Sequence, residues 1–458
     1  MTSFLVRFKK GNMQKSMIEG NTLKLILNFS IPLLLGNLFQ QFYNVVDAAI
    51  VGQTLGSKAL AAVGASSSVQ FLILGFCMGI CQGFAIMVSQ SYGAKRPDEM
   101  HTYIYAGAVW TAITAFVVSI FVVVFCADIL HILQVNDEIF NDAYTYLVVI
   151  FLGIPFTLLY NYLSAILRAI GDSKTPFFFL AFSAFLNIGL DFFCILVLKW
   201  GCAGAAIATI FAQAVSGILC LLLIAFKVNI LHIPNSSRYV DKQHSLKLLA
   251  MGVPMGLQFS ITAIGSMVMQ SANNDLGTIY VSGFTAGMRI KSLMMCLFDA
   301  LGAAVSTFLS QNYGACKLER IQDGYHKGVM VSILYGAFAC VVMVFFGRIL
   351  SMMFVSANES QVLNASALYL RRMGYFYPVL GILITTRMSV QGLGYSARAM
   401  LAGFVEMIAR CIVALCFVPI FKYGAITWAD QTAWVAATLV LIPLWISAMR
   451  TVQKNELN

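Results

Sequence analysis

Hydrophobic residues along this chain are gathered into long runs, without the alternation of strands or the one-sided pattern of surface helices. Twelve such runs, spans 1 to 12, are separated by polar segments, several with glycine or proline turn signals. Each is long enough to cross a membrane, which takes about 20 apolar residues in a helix. The pattern predicts an all-α polytopic membrane protein. The spans cover 25–52, 60–91, 102–126, 143–167, 176–198, 203–226, 248–271, 279–309, 328–354, 366–388, 399–421 and 431–449.

Composition supports this class. Of the 458 residues, 60% are hydrophobic and 10% are charged, whereas soluble domains have roughly 45–50% and about 25%. An ordinary soluble enzyme and a disordered chain are therefore excluded. The 11 cysteines mostly lie inside apolar runs, which indicates small buried side chains rather than a disulfide framework. The net charge of +10 is in a membrane protein first a signal of orientation, not of a nucleic-acid partner.

The distribution of basic residues predicts that both termini are cytoplasmic. With the N-terminus inside, cytoplasmic segments hold 20 Lys and Arg residues and outer loops hold 6, which follows the positive-inside rule. We expect a basic cytoplasmic N-terminal segment over 1–24 that is not a signal peptide. We also expect a cytoplasmic linker over 227–247 and a cytoplasmic tail over 450–458, in a protein of the inner (plasma) membrane.

The chain also repeats itself at an offset of 221–223 residues. A Ser-Gln-x-Tyr-Gly-Ala hexapeptide occurs at 89–94 and again at 310–315. The other matches are Pro32 with Pro254, Gly171 with Gly394 and Ser173 with Ser396. Because each half has an even number of spans, the halves share one orientation. We expect two six-helix lobes, 25–226 and 248–449, related by a pseudo-twofold axis along the membrane normal with a cavity between them, as in transporters.

Two carboxylates of the first half have no predicted basic partner. Asp47 lies in span 1 and Asp191 in span 5, and no Lys, Arg or His falls within the six spans of that half. An ionisable residue inside a membrane span is costly and marks a functional site by default. Two such carboxylates cannot both stay ionised in a dry site. We expect them to take up protons or to bind a cation.

The depth of these residues predicts a common site. Asp47, Asp191 and Thr209 each lie eight residues from an outer span end, which corresponds to about 12 Å in a helix. Asn187 lies one turn from Asp191 on the same face. Two carboxylates, an amide and a hydroxyl form an oxygen-rich cluster that suits Na⁺ or a shared proton. The alternative is that the two acids are separately hydrogen-bonded in the core.

A polar stripe on span 1 predicts a water-filled cavity. Gln40, Tyr43, Asn44 and Asp47 lie along one face of the predicted helix, and such a stripe is expected to face a cavity rather than lipid. Asn161 in span 4 is expected to join it.

The charges of the second half receive a different interpretation. Glu406 and Arg410 are four residues apart in the favourable acid-before-base order, and we expect a structural ion pair. Arg289, Lys291 and Asp299 form either a partly compensated cluster or a group near the outer end of a long span. At offsets of 222 and 223 residues the first-half site corresponds to Met269 for Asp47, Arg410 for Asn187 and Ala414 for Asp191. Cation chemistry is therefore expected only in the first half.

These motifs resemble the multidrug and toxic compound extrusion (MATE) family over nearly the whole chain. The resemblance rests on the opening of span 1 at 31–41, the Val-Asp-Ala-Ala-Ile-Val-Gly segment at 46–52, and the hexapeptide in both halves. The predicted cation site resembles that of the DinF-like branch. The acids that other branches use in the second lobe are not evident here.

The resemblance implies a secondary antiporter that admits H⁺ or Na⁺ and expels drug-like, often cationic compounds. Gln40, Tyr43 and Asn161 would line the first-lobe cavity. Alternating access would come from rocking of the lobes, with span 1 bending near Pro32, which lacks an N–H. The partners would be small organic substrates and the lipid bilayer, the protein would be monomeric, and no cofactor other than the coupling ion would be needed.

Other classes of function were weighed against this one. A flippase of a lipid-linked precursor shares the broader fold and tends to have a cationic cavity, and Arg289 and Lys291 keep that alternative open. A membrane-embedded enzyme is not expected, because the five histidines fall in loops or at span ends. ATP-driven transport lacks a GxxxxGK[ST] phosphate loop. The substrate, the coupling ion and the stoichiometry stay open.

Overall fold

A computed structural model of the chain describes residues 16–133 and 135–457, and within these ranges the regular elements are all helices. The predicted basic residues at positions 7, 9, 10 and 15 lie outside the described residues. The first half contains α1 (Thr22–Leu55), α2 (Ser57–Gly93), α3 (Pro97–Val124), α4 (Cys126–Ile132), α5 (Asp137–Leu152), α6 (Ile154–Ala169), α7 (Lys174–Phe192) and α8 (Gly201–Lys227).

The second half follows the same order. It contains α9 (Lys242–Asn274), α10 (Thr278–Gly314), α11 (Leu318–Ser351), α12 (Ser360–Gly374), α13 (Tyr377–Gly392), α14 (Ser396–Ile412), α15 (Val418–Phe421) and α16 (Tyr423–Leu457). A π-helical turn follows both α7 (Phe193–Val197) and α14 (Val413–Phe417). Short 3-10 turns lie between the halves, at Asn229–Leu231 and Asn235–Ser237.

Every predicted span corresponds to one helix or to two consecutive helices. Among the described residues, ten helices are long and apolar enough to cross a membrane. Span 4 corresponds to α5 and α6, which are bent by 47° where Gly153 separates them, and Pro155 stands at the start of α6. Span 10 breaks at the matching place, with Pro378 at the start of α13. The predicted fold class is confirmed, with these two interruptions, which proline produces because it cannot donate an N–H.

Two hydrophobic cores correspond to the two halves, but the halves exchange the beginnings of their first helices. Ile26 and Phe29, near the start of α1, belong to the core of the second half. Leu248, near the start of α9, belongs to the core of the first half. Each lobe is therefore packed partly by a helix of the other, and α1 is in contact with both.

Glycines allow α2 and α9 to pack backbone to backbone. A Cβ at Gly79 would lie 2.7 Å from the Cα of Gly256, and a Cβ at Gly83 would lie 2.5 Å from the Cα of Gly252. Small residues of this kind are how membrane helices approach closely without a hydrophobic driving force. The two lobes are thus in direct contact along the C-terminal half of α2.

Candidate cation site and inter-lobe contacts

Three helices of the first lobe bring the predicted cation-site residues together. Asp47 comes from α1, Asn187 and Asp191 from α7, and Thr209 from α8. Asn187 is 3% exposed and Asp191 is 0% exposed, whereas Asp47 and Thr209 are half-buried. The carboxyl groups of Asp47 and Asp191 lie within hydrogen-bonding reach of each other. Nδ2 of Asn187 is 3.4 Å from Oγ1 of Thr209.

This cluster has acceptors without donors. Oδ1 of Asp47, both carboxyl oxygens of Asp191 and Oδ1 of Asn187 are buried with no hydrogen-bond donor among the described residues. The hydroxyl of Thr209 donates to the carbonyl of Ala205 at 3.0 Å and accepts from Nδ2 of Asn187, so its oxygen keeps one lone pair with which to ligate a cation. A buried acceptor without a donor costs about 1–3 kcal/mol. The arrangement is suited to receive a proton or a cation.

Two residues that the sequence did not assign border the cluster. Tyr146 of α5 is 5% exposed, lies close to Asp47 and pairs with the amide of Gln70 from α2. The sequence did not predict either residue as part of the site, because neither side chain carries a formal charge. The signal that identifies Tyr146 is the repeat, since Tyr369 occupies the matching position of the second half.

Tyr43 connects the stripe of span 1 to this cluster. Its hydroxyl lies near both carboxylates and pairs with the side chain of Gln40. Tyr43 also borders a narrow cleft between α1, α7 and α8 that is lined in addition by Asn187, Thr209 and Gln213. Polar groups from three helices therefore meet at one depth.

The other residues predicted for the cavity or its gate lie elsewhere. Asn44 is exposed. The amide of Asn161 donates to the carbonyl of Thr157 at 2.8 Å, one turn earlier in its own helix. Pro32 is buried, and α1 runs through it without interruption.

The expectation that no basic residue lies in the first-half membrane helices holds for the apolar runs but not for the full helices. Because α6 continues to Ala169, Arg168 stands in its last turn, where it donates to Ser164 at 3.0 Å. Because α3 begins at Pro97, His101 stands in its first turns and contacts the carbonyl of Ile230. Neither is at the depth of the carboxylates.

The repeated hexapeptide joins the two lobes by a reciprocal pair of hydrogen bonds. Nε2 of Gln90 donates to the carbonyl of Gly392 at 3.1 Å, and Nε2 of Gln311 donates to the carbonyl of Ala169 at 2.8 Å. Each glutamine thus bonds to the last turn of a helix in the opposite lobe. The two bonds are related by the pseudo-twofold axis, because both partners match in the repeat.

The glycines of the hexapeptide are required by this contact. A Cβ at Gly93 would overlap the carbonyl of Gln311, and a Cβ at Gly314 would overlap the carbonyl of Gln90. Backbone approach this close is possible only without a side chain.

The one difference between the two hexapeptides has a structural role. Asn312, which stands where the first copy has Ser91, donates to the carbonyl of Met17 at 3.2 Å. The N–H of Met17 in turn donates to Oε1 of Gln311 at 2.8 Å, and Nη2 of Arg320 donates to the same carbonyl of Met17 at 3.1 Å. The segment that precedes α1 is thereby fixed to the second lobe.

Adding a Cβ at this contact should separate the lobes at the end where α2 and α10 finish. We expect Gly93→Ala and Gly314→Ala each to lengthen the distance between spin labels on these two helix ends, in protein whose exposed Cys316 and Cys416 are replaced. An ordinary Gly→Ala change within a helix raises the free energy of unfolding by about 0.5–1 kcal/mol. A change that breaks this inter-lobe contact should lower the free energy of unfolding instead. Gly64→Ala in α2, where a Cβ meets nothing within 4 Å, is the matched control. An unchanged distance in all three variants would contradict the assignment.

Each half of the chain matches one protein-family model. The MatE model fits residues 32–193 and again residues 254–416. The chain belongs to the MatE family. The resemblance seen in the sequence is confirmed, and the two matches coincide with the two lobes.

Individual relatives agree with this assignment. A Bacillus subtilis (strain 168) protein described as the probable multidrug resistance protein YpnP is 32% identical over 417 residues, which are 90% of either chain. A protein of Shewanella oneidensis described as an FAD transporter is 23% identical and covers 79% of this chain and 80% of its own. The solved structure of MATE in complex with MaL6 has a TM-score of 0.89 at 20% identity, covering 96% of this chain and 99% of that chain. This last likeness shows the shared MATE fold.

In this MatE-family chain the second lobe contains a buried network of charges. Nζ of Lys291 lies 2.6 Å from Oδ2 of Asp430. The hydroxyl of Tyr369 donates to the same oxygen at 2.8 Å, and Nε of Arg410 lies 3.2 Å from Oδ1 of Asp430. Asp430 is therefore held from three helices.

The network continues through Glu406. The predicted pair with Arg410 is present, at 3.5 Å, but Glu406 also forms an ion pair with Arg387. The sequence did not find Arg387 or Asp430 as members, because both stand close to predicted span ends. Of the other charges of that predicted cluster, Arg289 and Asp299 are exposed. Lys291 forms an ion pair within the network, and Asp299 lies near enough to Arg387 to interact with its charge.

The two clusters occupy equivalent places in the two lobes. Buried and exposed positions along α8 coincide with those along α16 at an offset of 221 residues, which matches Thr209 with Asp430. Buried alanines that match are Ala208 with Ala429 and Ala212 with Ala433. Along α7 and α14 the pattern coincides at an offset of 219 residues, which matches Asn187 with Glu406 and Asp191 with Arg410.

Two counterparts predicted at an offset of 223 residues are therefore wrong. That comparison matched Asn187 with Arg410 and Asp191 with Ala414, each four residues from the match given by burial. Helix length accounts for two of these four residues, because α7 has 19 residues and α14 has 17 before their π-helical turns. The buried faces of α7 and α14 therefore match at a different repeat offset from the turns that precede these helices. The second lobe still has no acid where the first has Asp191.

Removing one member of the network should destabilise the protein. Glu406→Gln leaves Arg387 unpaired in a buried position, which costs on the order of 3–5 kcal/mol. We expect a lower midpoint of thermal unfolding in detergent, and partial recovery in a Glu406→Gln, Arg387→Met double variant. Glu359→Gln, at an exposed acid that precedes α12, is the control. A midpoint like that of the unaltered protein in Glu406→Gln would show that the pair has no structural role.

Proposed function

We propose that this chain is a secondary antiporter of the plasma membrane that expels drug-like organic compounds in exchange for external H⁺ or Na⁺. The observation that carries the proposal is the pair of Asp47 and Asp191. Their carboxyl groups lie within reach of each other, and among the described residues three of their oxygens are buried without a donor and no basic group stands beside them. The names of the multidrug resistance relatives support the export of drug-like compounds.

Binding of a proton or a cation by this pair greatly changes the electrostatic interaction between the two carboxylates. Two carboxylates about 4 Å apart repel by about 4 kcal/mol at an effective dielectric constant of 20. A proton shared between them, or a Na⁺ bound by their oxygens, replaces the repulsion by attraction. Because Asp47 belongs to α1 and Asp191 to α7, occupancy of the site alters the force between these two helices.

α1 is the element through which this force reaches the other lobe. Ile26 and Phe29 of α1 pack in the core of the second half, and Nδ2 of Asn37 donates to the carbonyl of Cys296 in α10 at 3.3 Å. A shift of α1 toward or away from α7 therefore acts on the inter-lobe contact. We infer that ion loading biases the rocking of the lobes in this way, with bending near Pro32 as one means.

The glutamine and glycine contacts of the hexapeptides form the closed end in this mechanism. The charge distribution favours both termini in the cytoplasm, and the contact between Gly93 and Gln311 lies at that end of the bundle. The described state is then one that is closed toward the cytoplasm. The contact consists of few hydrogen bonds, each worth about 0.5–1.5 kcal/mol net, so a modest change in the force on α1 is enough to bias it. The protein acts as a monomer, without a cofactor other than the ion.

The flippase alternative loses its main support. Lys291, one of the two bases that kept it open, is 7% exposed and bound to Asp430. An ammonium held in this way is not free to bind the phosphate of a lipid-linked precursor. Arg289 remains exposed, but a single arginine does not make a cationic cavity.

Neutralising either carboxylate should abolish coupled transport. We expect Asp47→Asn and Asp191→Asn each to lose gradient-driven efflux while folding normally, because an amide keeps size and hydrogen bonding but cannot titrate. The measurement is export of a cationic dye, and separately of FAD, from proteoliposomes under a pH gradient or a Na⁺ gradient. Asp142→Asn, at an exposed acid in α5, should transport normally. Full transport by both site variants would disprove the assignment.

The hydroxyl of Thr209 should distinguish Na⁺ from H⁺. It supplies one neutral oxygen, which is a ligand for Na⁺ but is not needed to hold a proton between two carboxyls. If Na⁺ couples, Thr209→Val is expected to weaken Na⁺-driven transport more than proton-driven transport, and Thr209→Ser to preserve both. Equal behaviour of valine and serine variants under both gradients would assign Thr209 to packing.

A further inference from the structure

The second-lobe network reproduces the first-lobe site position by position, with the charges changed. Besides the matches of Asp430 and Arg410, Lys291 stands at the position of Gln70 and Tyr369 at that of Tyr146, at offsets of 221 and 223 residues. The contacts are also alike, because Tyr146 pairs with Gln70 where Tyr369 and Lys291 meet at Asp430. This network is therefore the structural counterpart of the candidate cation site.

The two sites differ in what they lack. In the first lobe, carboxyl and amide oxygens are left without donors. In the second, both oxygens of Asp430 accept from Lys291, Arg410 or Tyr369, and Glu406 is paired on both sides. Among the members of this network, the polar atoms that the described residues leave without partners are N–H groups, Nη1 of Arg410 and Nε of Arg387. The carboxylates of the first site have oxygens to offer a cation, whereas those of the second have no oxygen left unpaired.

From this contrast we propose that Lys291 and Arg410 are built-in cations that fill the second-lobe counterpart of the ion site, so that this lobe takes no ion during transport. The inference rests on the proposed coupling function of the first lobe and specifies which lobe is ion-responsive. Lys291 and Arg410 are then specificity-determining residues, because they restrict ion coupling to one site of a duplicated scaffold.

The surroundings of the two bases fit this role. The ammonium of Lys291 is bound to the carboxylate of Asp430, which also accepts from the hydroxyl of Tyr369. The ammonium lies 5.4 Å from the centre of the Trp434 ring, an arrangement that stabilises a desolvated cation. Arg410 lies next to Gly265, where a Cβ would be in ordinary van der Waals contact with its Cδ, at 3.5 Å. The residue that matches Gly265 in the first lobe is Tyr43, so the second lobe has no aromatic ring at the position beside Arg410.

The test removes the charges of Lys291 and Arg410 in a protein in which the two carboxylates of the first-lobe site have already been replaced by amides. The background is Asp47→Asn, Asp191→Asn, and the added changes are Lys291→Gln and Arg410→Met. Arg387 then still compensates Glu406, and Asp430 is left without a base. The charged and titratable groups that face Asp430 in the unaltered chain are Lys291, Arg410, Tyr369 and Tyr377. Glu406 and Arg387 adjoin it through Arg410. An uncompensated buried carboxylate requires a proton or an added cation.

The measurement is the midpoint of thermal unfolding of purified protein, in NaCl against choline chloride and across pH. We expect the background variant to respond to neither. The four-substitution variant should acquire a response, with a midpoint that rises by several degrees with Na⁺ or falls as pH rises through neutrality. Lys291→Arg with Arg410→Lys in the same background keeps both charges and should stay unresponsive.

Further outcomes separate this inference from the proposed function. If the background variant keeps the ion response of the unaltered protein, the first-lobe site is wrong, whatever the second lobe does. If the background is unresponsive and the four-substitution variant is folded but also unresponsive, the built-in cations are not needed to occupy the second site. If that variant does not fold, Asp430→Asn is added. Recovery of a folded, ion-insensitive protein supports the inference, and failure to recover it overturns the inference.

Discussion

The cost of placing charge in hydrocarbon is the constraint on which the rest of this structure depends. Each lobe holds buried carboxylates, and each must compensate them. The second lobe does so internally, with Lys291, Arg387 and Arg410 around Asp430 and Glu406. In the described part of the first lobe, no such base stands beside Asp47 and Asp191. In the proposed mechanism, their compensation comes from outside the protein, as a proton or a cation that can also leave.

A change of charge at this site can move one lobe against the other only if its two carboxylates belong to helices that pack in different lobes. Asp191 is on α7, which packs within the first lobe, while Asp47 is on α1, whose beginning is part of the other core. A change in attraction between the two carboxyl groups is therefore not absorbed inside one rigid body. In the proposed mechanism, this exchange of helix beginnings transmits a local change of charge from one lobe to the other.

The sequence predicted the fold and the two carboxylates because both depend on local, one-dimensional information. Long apolar runs identify membrane helices, and the lack of bases near Asp47 and Asp191 can be counted. The bends at Gly153 and before Tyr377 were not predicted, because hydrophobicity continues across them. Pro155 was the available signal, since proline at the start of a helix marks a helix boundary.

The second-lobe network could not be assembled from sequence for a different reason. Asp430 lies 139 residues from Lys291, and no periodicity relates them. An offset of 223 residues also placed Arg410 opposite Asn187, although the pattern of buried positions matches Asn187 with Glu406, four residues or about one helical turn earlier. Register within a repeat is set by which side chains are buried, and that is a property of the packed lobes.

Two differences between the halves have clear structural consequences. Ser91 against Asn312 decides which lobe fixes the segment before α1, and Asp191 against Arg410 decides which lobe holds a carboxylate without a basic partner among the described residues. In the proposed mechanism, a scaffold with two ion-responsive lobes would apply force on both sides of the same inter-lobe contact, and the two forces would have to be synchronised. With bases fixed in one lobe, that lobe would serve as the reference against which α1 moves. Asymmetry of charge would then be a simpler route to directed motion than symmetric coupling.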